Sequence, residues 1–363
     1  MNLGLRLHRE NRDTEKSARM DVSTMEIVKP SKLWFGDTVG IVSPASPIAA
    51  FCPRRLKRGI ECLEDMGFQV ILGDHASKRT GHTAGTIDDR LSDLHAMYRN
   101  PDVKAIIPTI GGYNSNQLLE VLDYKLIAEN PKILLGYSDI TALQLGIFSQ
   151  TGMVTYMGPA ILPQFGEFGG LFDYTRNSME DILMMGANAQ RVLQPSVSWT
   201  EERLQWDLED NRARVLQEST GWKILKRGKA CGRIIAGNVS TLLLLAGTAY
   251  WPDTTGAILC VEDDETTNIA TVDRYLTQLR QMGVYEKLAA LIVGRFPSDT
   301  GFSDEDPLDS MLSSATQGYS FPVVYDVDFG HTDPMMIMAN GVWASLDAVS
   351  HLEFRYLEST VSD

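Results

Sequence analysis

Between Val39 and Gln150 short apolar runs alternate with amphipathic stretches, and this alternation restricts the possible fold more than any other feature of the chain. Val39 to Ser43 reads as a buried strand, Leu56, Ile60 and Leu63 mark one face of a helix closed by Gly67, and Phe68 to Leu72 reads as a second strand. The rhythm continues with a helix carrying Leu91, Leu94 and Tyr98 on one side, a strand from Val103 to Ile107 and a short helix near Asn116 to Leu122. A further strand and helix follow across Pro131 to Gln150. Such alternation predicts a mostly parallel sheet with helices on both faces, whose ligands collect beyond the carboxyl ends of the strands. Ser43, Gly111, Gly112 and Ser138 fall at those ends.

After Gly158-Pro159 the pattern loosens. The Gly/Phe-rich stretch PQFGEFGG and the acidic region from Trp199 to Asp210 read as a linker or long loop. A second unit begins near Gly221, with strands at Arg233 to Ile235, Ala257 to Glu262, Leu291 to Val293 and Val323 to Tyr325. Its helices are expected at Ser240 to Leu245 and along the face Ile269, Val272, Leu276 and Leu279, so this half is α+β. The expected organisation is an extension at 1–25, an α/β domain at 26–185, a linker at 186–220 and an α+β domain at 221–363.

A length of 363 residues suits two domains, and 44% hydrophobic residues support filled interiors. The formal net charge of −14 argues against nucleic acid, whose binding needs Lys and Arg to neutralise phosphates. Cys52, Cys62, Cys231 and Cys260 form no C-x-x-C pair, which favours free thiols and a reducing compartment over disulfides or a zinc site. The first 25 residues carry five basic side chains but no apolar run of signal length, and no membrane span follows. The expectation is a cytoplasmic protein whose true start is Met1, Met20 or Met25.

Within Pro131 to Gln150 the run Ile133 to Leu135 stops at Gly136, and a helical pattern begins almost at once. Ser138 sits on that corner. A serine there projects its hydroxyl above the sheet beside the amide donors of a helix N-terminus. The string departs from G-x-S-x-G because Ile140 replaces the second glycine, and an N-cap serine of an ordinary βα unit fits it too. Acyl transfer also needs a base, and a carboxylate to hold that base. Among six histidines, His331 stands apart in the rigid loop FGHTDP directly after a strand, whereas His75 and His82 lie in a polar loop, His95 on a helix and His351 in a terminal strand. Glu262 ends an apolar run and opens the cluster Glu262-Asp263-Asp264-Glu265, of which the last three read as a solvated turn. The Gly111-Gly112 pair lets backbone N–H groups approach a substrate, while the P-loop lysine and dinucleotide glycine spacing are absent. Asp326, Asp328, His331 and Asp333 form an alternative metal set, although no second histidine stands at ligand spacing.

Taken in order, IGGYNSN, NPKILLGYSD, AGNVSTL, VEDDETTNIATVDRYL and FGHTDPM resemble the blocks of the LD-carboxypeptidase family of serine peptidases, from about Ile27 to Tyr356. The resemblance implies a Rossmann-like or flavodoxin-like N-terminal domain, a strand-rich C-terminal domain of the swivelling β/β/α type, and a site between them. It also implies a Ser138, Glu262, His331 triad with an oxyanion hole from the N–H groups of Gly112 and Asp139, no cofactor or metal, and a homodimer. Two branches are similar to this chain: murein tetrapeptide carboxypeptidases and microcin C immunity peptidases, which cut an aminoacyl-nucleotide amide. Asn114 in the N-S-N after the glycine pair and Ser198 to Trp206 look closer to the second branch, and Ser240 and Thr266 occupy positions where it carries a substrate-contacting Asn and Lys. Gly111, Tyr113 and Asn114 are expected at the substrate, as is Trp206, which reads as an exposed aromatic that stacks on a nucleobase or packs on its own domain. A non-catalytic protein that binds a small carboxylate or nucleotide in the same cleft is the reading from a different class.

Overall fold

The computed structural model describes residues 26–187 and 191–363. The expected extension at 1–25, with its alternative start sites, lies outside the described residues.

The first half follows the expected alternation. Strands β1 (Thr38–Val42), β2 (Gln69–Leu72), β3 (Val103–Pro108), β4 (Ile133–Gly136) and β5 (Thr155–Met157) are separated by helices α1 (Pro53–Asp65), α2 (Ile87–Arg99), α3 (Tyr124–Glu129) and α4 (Ile140–Thr151). Helix α2 starts in a reciprocal capping box between Thr86 and Asp89, and α4 stops at Gly152 in the left-handed region. The helix expected at Asn116 to Leu122 is a single 3₁₀ turn, Ser115–Leu118.

A short helix, α5 (Asp173–Met179), leads to three small strands, β6 (Val192–Leu193), β7 (Ser198–Trp199) and β8 (Gln217–Glu218). Strands β9 (Lys223–Lys226) and β10 (Lys229–Asn238), helix α6 (Val239–Leu244), strand β11 (Ile258–Glu262), helix α7 (Ile269–Gln281) and strand β12 (Ala290–Gly294) follow. The chain closes with α8 (Leu308–Ala315), β13 (Val323–Val327), β14 (Met338–Asn340), β15 (Trp343–Ala348) and β16 (Leu352–Tyr356). His351 sits in the turn between β15 and β16 rather than in a strand, with Nε2 on Glu353.

Two sheets organise the molecule. The first has the order β14-β5-β4-β3-β1-β2, in which β1 to β5 run parallel and β14 joins antiparallel to β5. The second has the order β6-β16-β15-β10-β11-β12-β13-β9, with β10 to β13 parallel. Both are α/β layers, and in both the carboxyl ends of the parallel strands carry the candidate residues. Strand β14 belongs to the C-terminal half of the chain, so the last element of the first sheet arrives from the far side of the sequence. Each of the two apolar clusters likewise draws side chains from both halves, as where Ile107 and Leu135 share one with Ile292 and Phe329.

The stretch PQFGEFGG begins inside the protein and reaches the surface only from Phe168. Ile161–Phe165 forms a wide π-helical turn, and Ile161, Leu162 and Phe165 are wholly buried. Its carbonyls find a partner inside: Arg55 of α1 donates to Leu162 O at 2.6 Å and to Pro163 O at 3.0 Å. A buried guanidinium thus replaces the water that exposed loop carbonyls would use. The region from Trp199 to Asp210 is tied down as well, since Thr200 and Asp333 exchange backbone hydrogen bonds at 2.6 and 2.9 Å.

Candidate active site

Ser138 has φ +63°, in the left-handed region that non-glycine residues seldom enter. It links β4 to α4, so its hydroxyl stands at the strand end as the alternation predicts. The neighbouring loop requires glycine twice. A Cβ on Gly111 would lie 3.2 Å from Ser138 Oγ and 3.1 Å from the Asp139 amide nitrogen. Gly112 has φ +151°, and a Cβ there would meet the Ser46 amide nitrogen at 2.9 Å. The N–H groups of Gly112 and Asp139 have no backbone acceptor among the described residues. Two free donors beside a hydroxyl are what a developing oxyanion needs. The Asp139 side chain fixes the glycine loop by accepting from the amides of Asn114 at 3.1 Å and Ser115 at 2.9 Å, while burial pushes its carboxyl above the usual range. Ser43 has another task, bonding Ala76 O at 2.6 Å inside the sheet edge.

The second sheet contributes the opposite components. Glu262 is the last residue of β11 and is 0% exposed, with Oε2 2.6 Å from His331 Nδ1. His331 follows β13 on the expected loop. Two glycines make room for this pair: a Cβ on Gly330 would lie 2.5 Å from Glu262 Oε2, and one on Gly294 2.8 Å from Glu262 Cβ. Burial disfavours the imidazolium, but Glu262, with Asp264 and Glu265 behind it, outweighs that and raises His331 to about 9. The Tyr137 ring lies 4.9 Å from the imidazole.

Ser138 and His331 line the same cavity of about 450 Å³, and no direct hydrogen bond joins them. Gly111, Gly112, Tyr113, Thr266 and Trp206 line it too. The segment expected as a linker supplies Glu201, Glu202, Arg203 and Leu204 to its wall, and Arg214 reaches it from further along. Trp206 is half-buried rather than exposed, and the Arg55 guanidinium lies 4.4 Å from its ring centroid. Reading the sequence missed Arg55 and Arg214. Arg214 bonds Glu167 at 2.7 Å and Asp333 at 2.8 Å, but an arginine in a polar loop shows no periodicity that foretells this.

Several expected residues go elsewhere. Asn114 contributes backbone to the Asp139 contact and is not in the cavity wall. Ser240 turns away, donating to Asn238 Oδ1 at 2.6 Å and Asp263 Oδ1 at 3.2 Å. Asp263 is 0% exposed, not part of a solvated turn, and burial with the adjacent Glu262 charge pushes it up to about 6. Asp264 and Glu265 are partly exposed and line the cavity. The four members of the alternative metal set separate: Asp326 pairs with Lys223, Asp328 with Arg295 and Trp222, Asp333 with Arg214, and His331 with Glu262. Among the described residues no three His, Cys, Asp or Glu side chains are grouped as metal ligands. Cys52, Cys62 and Cys260 are buried free thiols, and Cys231 is an exposed one. No described helix is long and apolar enough to cross a membrane.

The class defined by this fold and cavity is the serine-type hydrolase, because a hydroxyl held at a strained corner beside free amide donors needs only a base to become a nucleophile. Residues 39–158 match the LD-carboxypeptidase N-terminal domain and residues 231–346 its C-terminal domain, and the chain belongs to the LD-carboxypeptidase family. It is 37% identical over 332 residues to a putative carboxypeptidase of Vibrio cholerae, covering 90% of this chain and 98% of that protein. To the microcin C7 self-immunity protein MccF of Escherichia coli it is 35% identical over 318 residues, covering 86% of this chain and 91% of that protein. A solved structure of MccF in complex with aspartyl sulfamoyl adenosine has the same fold, with TM-score 0.84 and 33% identity over 92% of this chain and 100% of that one.

Proposed function

We propose that the protein hydrolyses the amide of an aminoacyl-nucleotide through Ser138, His331 and Glu262, without a metal or cofactor. His331 Nε2 takes the Ser138 proton as Oγ attacks the carbonyl carbon, and Glu262 holds Nδ1–H and offsets the imidazolium charge. The N–H groups of Gly112 and Asp139 stabilise the oxyanion. The C–N bond then breaks, His331 returns its proton to the leaving nitrogen, and water, deprotonated by His331, releases the acyl group as a carboxylic acid. The open Ser138 to His331 link agrees with catalytic hydrogen bonds that tighten only around substrate.

The observation that carries this reading is the 2.6 Å His331 to Glu262 bond on the wall of the cavity that also holds the strained Ser138. The nucleotide part rests on Trp206 in the wall and on the likeness to MccF, whose solved complex holds an aminoacyl sulfamoyl nucleoside. A cavity of about 450 Å³ lies in the range that encloses such a ligand. A cytoplasmic homodimer is part of the same proposal, and light scattering after gel filtration checks the subunit count.

The deciding experiment is a turnover screen of aspartyl and glutamyl sulfamoyl adenosines against murein tetrapeptides, together with phosphonate labelling read by mass spectrometry. Cleavage of the nucleosides and a label on Ser138 are expected. Preferential release of D-alanine from the tetrapeptide would replace the nucleotide substrate with the murein one. Ser138→Ala should lose roughly 10³-fold or more in kcat, and retention of a tenth of the rate would defeat the mechanism. Activity unchanged by EDTA is expected, whereas a loss restored by zinc would overturn the metal-free step.

A further inference from the structure

Ser138 stands on the first sheet and the Glu262 to His331 arm on the second, so productive geometry depends on how one sheet is registered against the other. One continuous hydrogen-bonded path connects them through buried side chains. Thr141, the second residue of α4 and wholly buried, donates its N–H to Ser138 O at 3.0 Å. Its Oγ1 accepts the backbone N–H of Asn238 at 3.0 Å. Asn238 ends β10, directly opposite Glu262 in the parallel ladder. Its Nδ2 donates to Asp263 Oδ1 at 2.8 Å, and Asp263 is bonded through the next peptide to Glu262.

We infer that Thr141, Asn238 and Asp263 form a positioning bridge that sets the separation between Ser138 and the Glu262 to His331 pair. This rests on the serine mechanism proposed above. Each component is committed. Asn238 is 1% exposed, and its Oδ1 is taken by the Thr241 amide at 3.0 Å, which fixes the rotamer that aims Nδ2 at Asp263. Asp263 Oδ1 also accepts from the Asp264 amide at 2.9 Å, while Oδ2 is buried without a partner. Burying a carboxylate oxygen unpaired is costly, so a role in stability alone does not account for this residue. The close approach is built in, since a Cβ on Gly237 would collide with the Thr141 side chain.

Positioning residues differ from structural ones in what they change. Thr141→Val keeps the shape of the side chain and removes the acceptor, and Asp263→Ala removes the other end of the bridge. Each should lower kcat per phosphonate-titrated active site by roughly tenfold or more, with KM within about twofold, because reacting groups tolerate little misplacement. Thr141→Ser and Asp263→Asn keep the required acceptors and should retain most of the wild-type kcat. The double variant Thr141→Val with Asp263→Ala should lose no more than the worse single variant, since both cut one path. Unchanged kcat per titrated site in both single variants, or losses that multiply in the double, would overturn the bridge even if melting temperatures fall. A wild-type protein inert to phosphonate at Ser138 would overturn the serine mechanism itself, whereas a labelled wild type with unaffected variants rejects only the bridge.

Discussion

Glu262 Oε2 accepts from His331 Nδ1 at 2.6 Å, across a space kept open by two glycines, from a strand end that is wholly buried. The imidazole is raised to about 9 by this carboxylate with Asp264 and Glu265, so at neutral pH it is mostly protonated and cannot take the Ser138 proton. The rate kcat/KM should therefore climb with pH between about 7 and 9 and level off above. Glu262→Gln removes the main raising contribution and leaves burial, which lowers, opposed only by the smaller contributions of Asp264 and Glu265, so the rising limb should move to lower pH while the plateau falls. A pH–rate profile decides, and a limb that does not move in Glu262→Gln would rule out the pair as its origin. Stability runs the opposite way: the pair contributes fully below the ordinary histidine value of about 6.5 and the contribution is lost as pH passes about 9.

Gly330 has φ +106°, and a Cβ there would lie 2.5 Å from Glu262 Oε2. Gly330→Ala should push Glu262 away from the imidazole and cost roughly 10²-fold in kcat. Steady-state kinetics on a variant whose far-UV spectrum is unchanged makes the check. Near-normal turnover would mean that the carboxylate tolerates displacement.

Trp206 lines the cavity with Arg55 held over its ring. If its indole meets a nucleobase, Trp206→Ala should raise KM for an aminoacyl sulfamoyl adenosine about tenfold and leave a small non-aromatic peptide amide nearly unaffected, as base stacking is worth roughly 1 to 3 kcal/mol. Equal effects on both substrates would assign Trp206 to packing.

Asp210 is buried and binds both Arg55, at 3.1 Å, and Arg58. Asp210→Ala would strand the Arg55 guanidinium, which is 2% exposed, with only Glu167 as its anionic partner. Breaking such a pair costs about 3 to 5 kcal/mol. The melting temperature should fall on the order of 10 °C, measured by calorimetry, and a shift under about 2 °C would show that Arg55 is satisfied by Glu167 and the carbonyls of Leu162 and Pro163.

Sequence by itself determined what depends on neighbours along the chain. Apolar runs that end in Gly-x-Ser or in glutamate made the strand ends legible, and with them Ser138, Glu262, His331 and the glycine pair. The order of the five blocks carried the family, since each block preserves a local turn with its own chemistry. Tertiary structure alone decided which of these residues share a cavity, because Ser138 and His331 follow strands of different sheets. It decided that β14 closes the first sheet, that Glu201 to Leu204, Trp206 and Arg214 line the cavity, and that Asp263 is buried while Ser240 bonds Asn238. None of these follows from periodicity, for burial of a polar group, side chain or backbone, depends on partners supplied by distant segments: Asn238 for Asp263, Asp333 for Thr200, Arg55 for the π-helical turn.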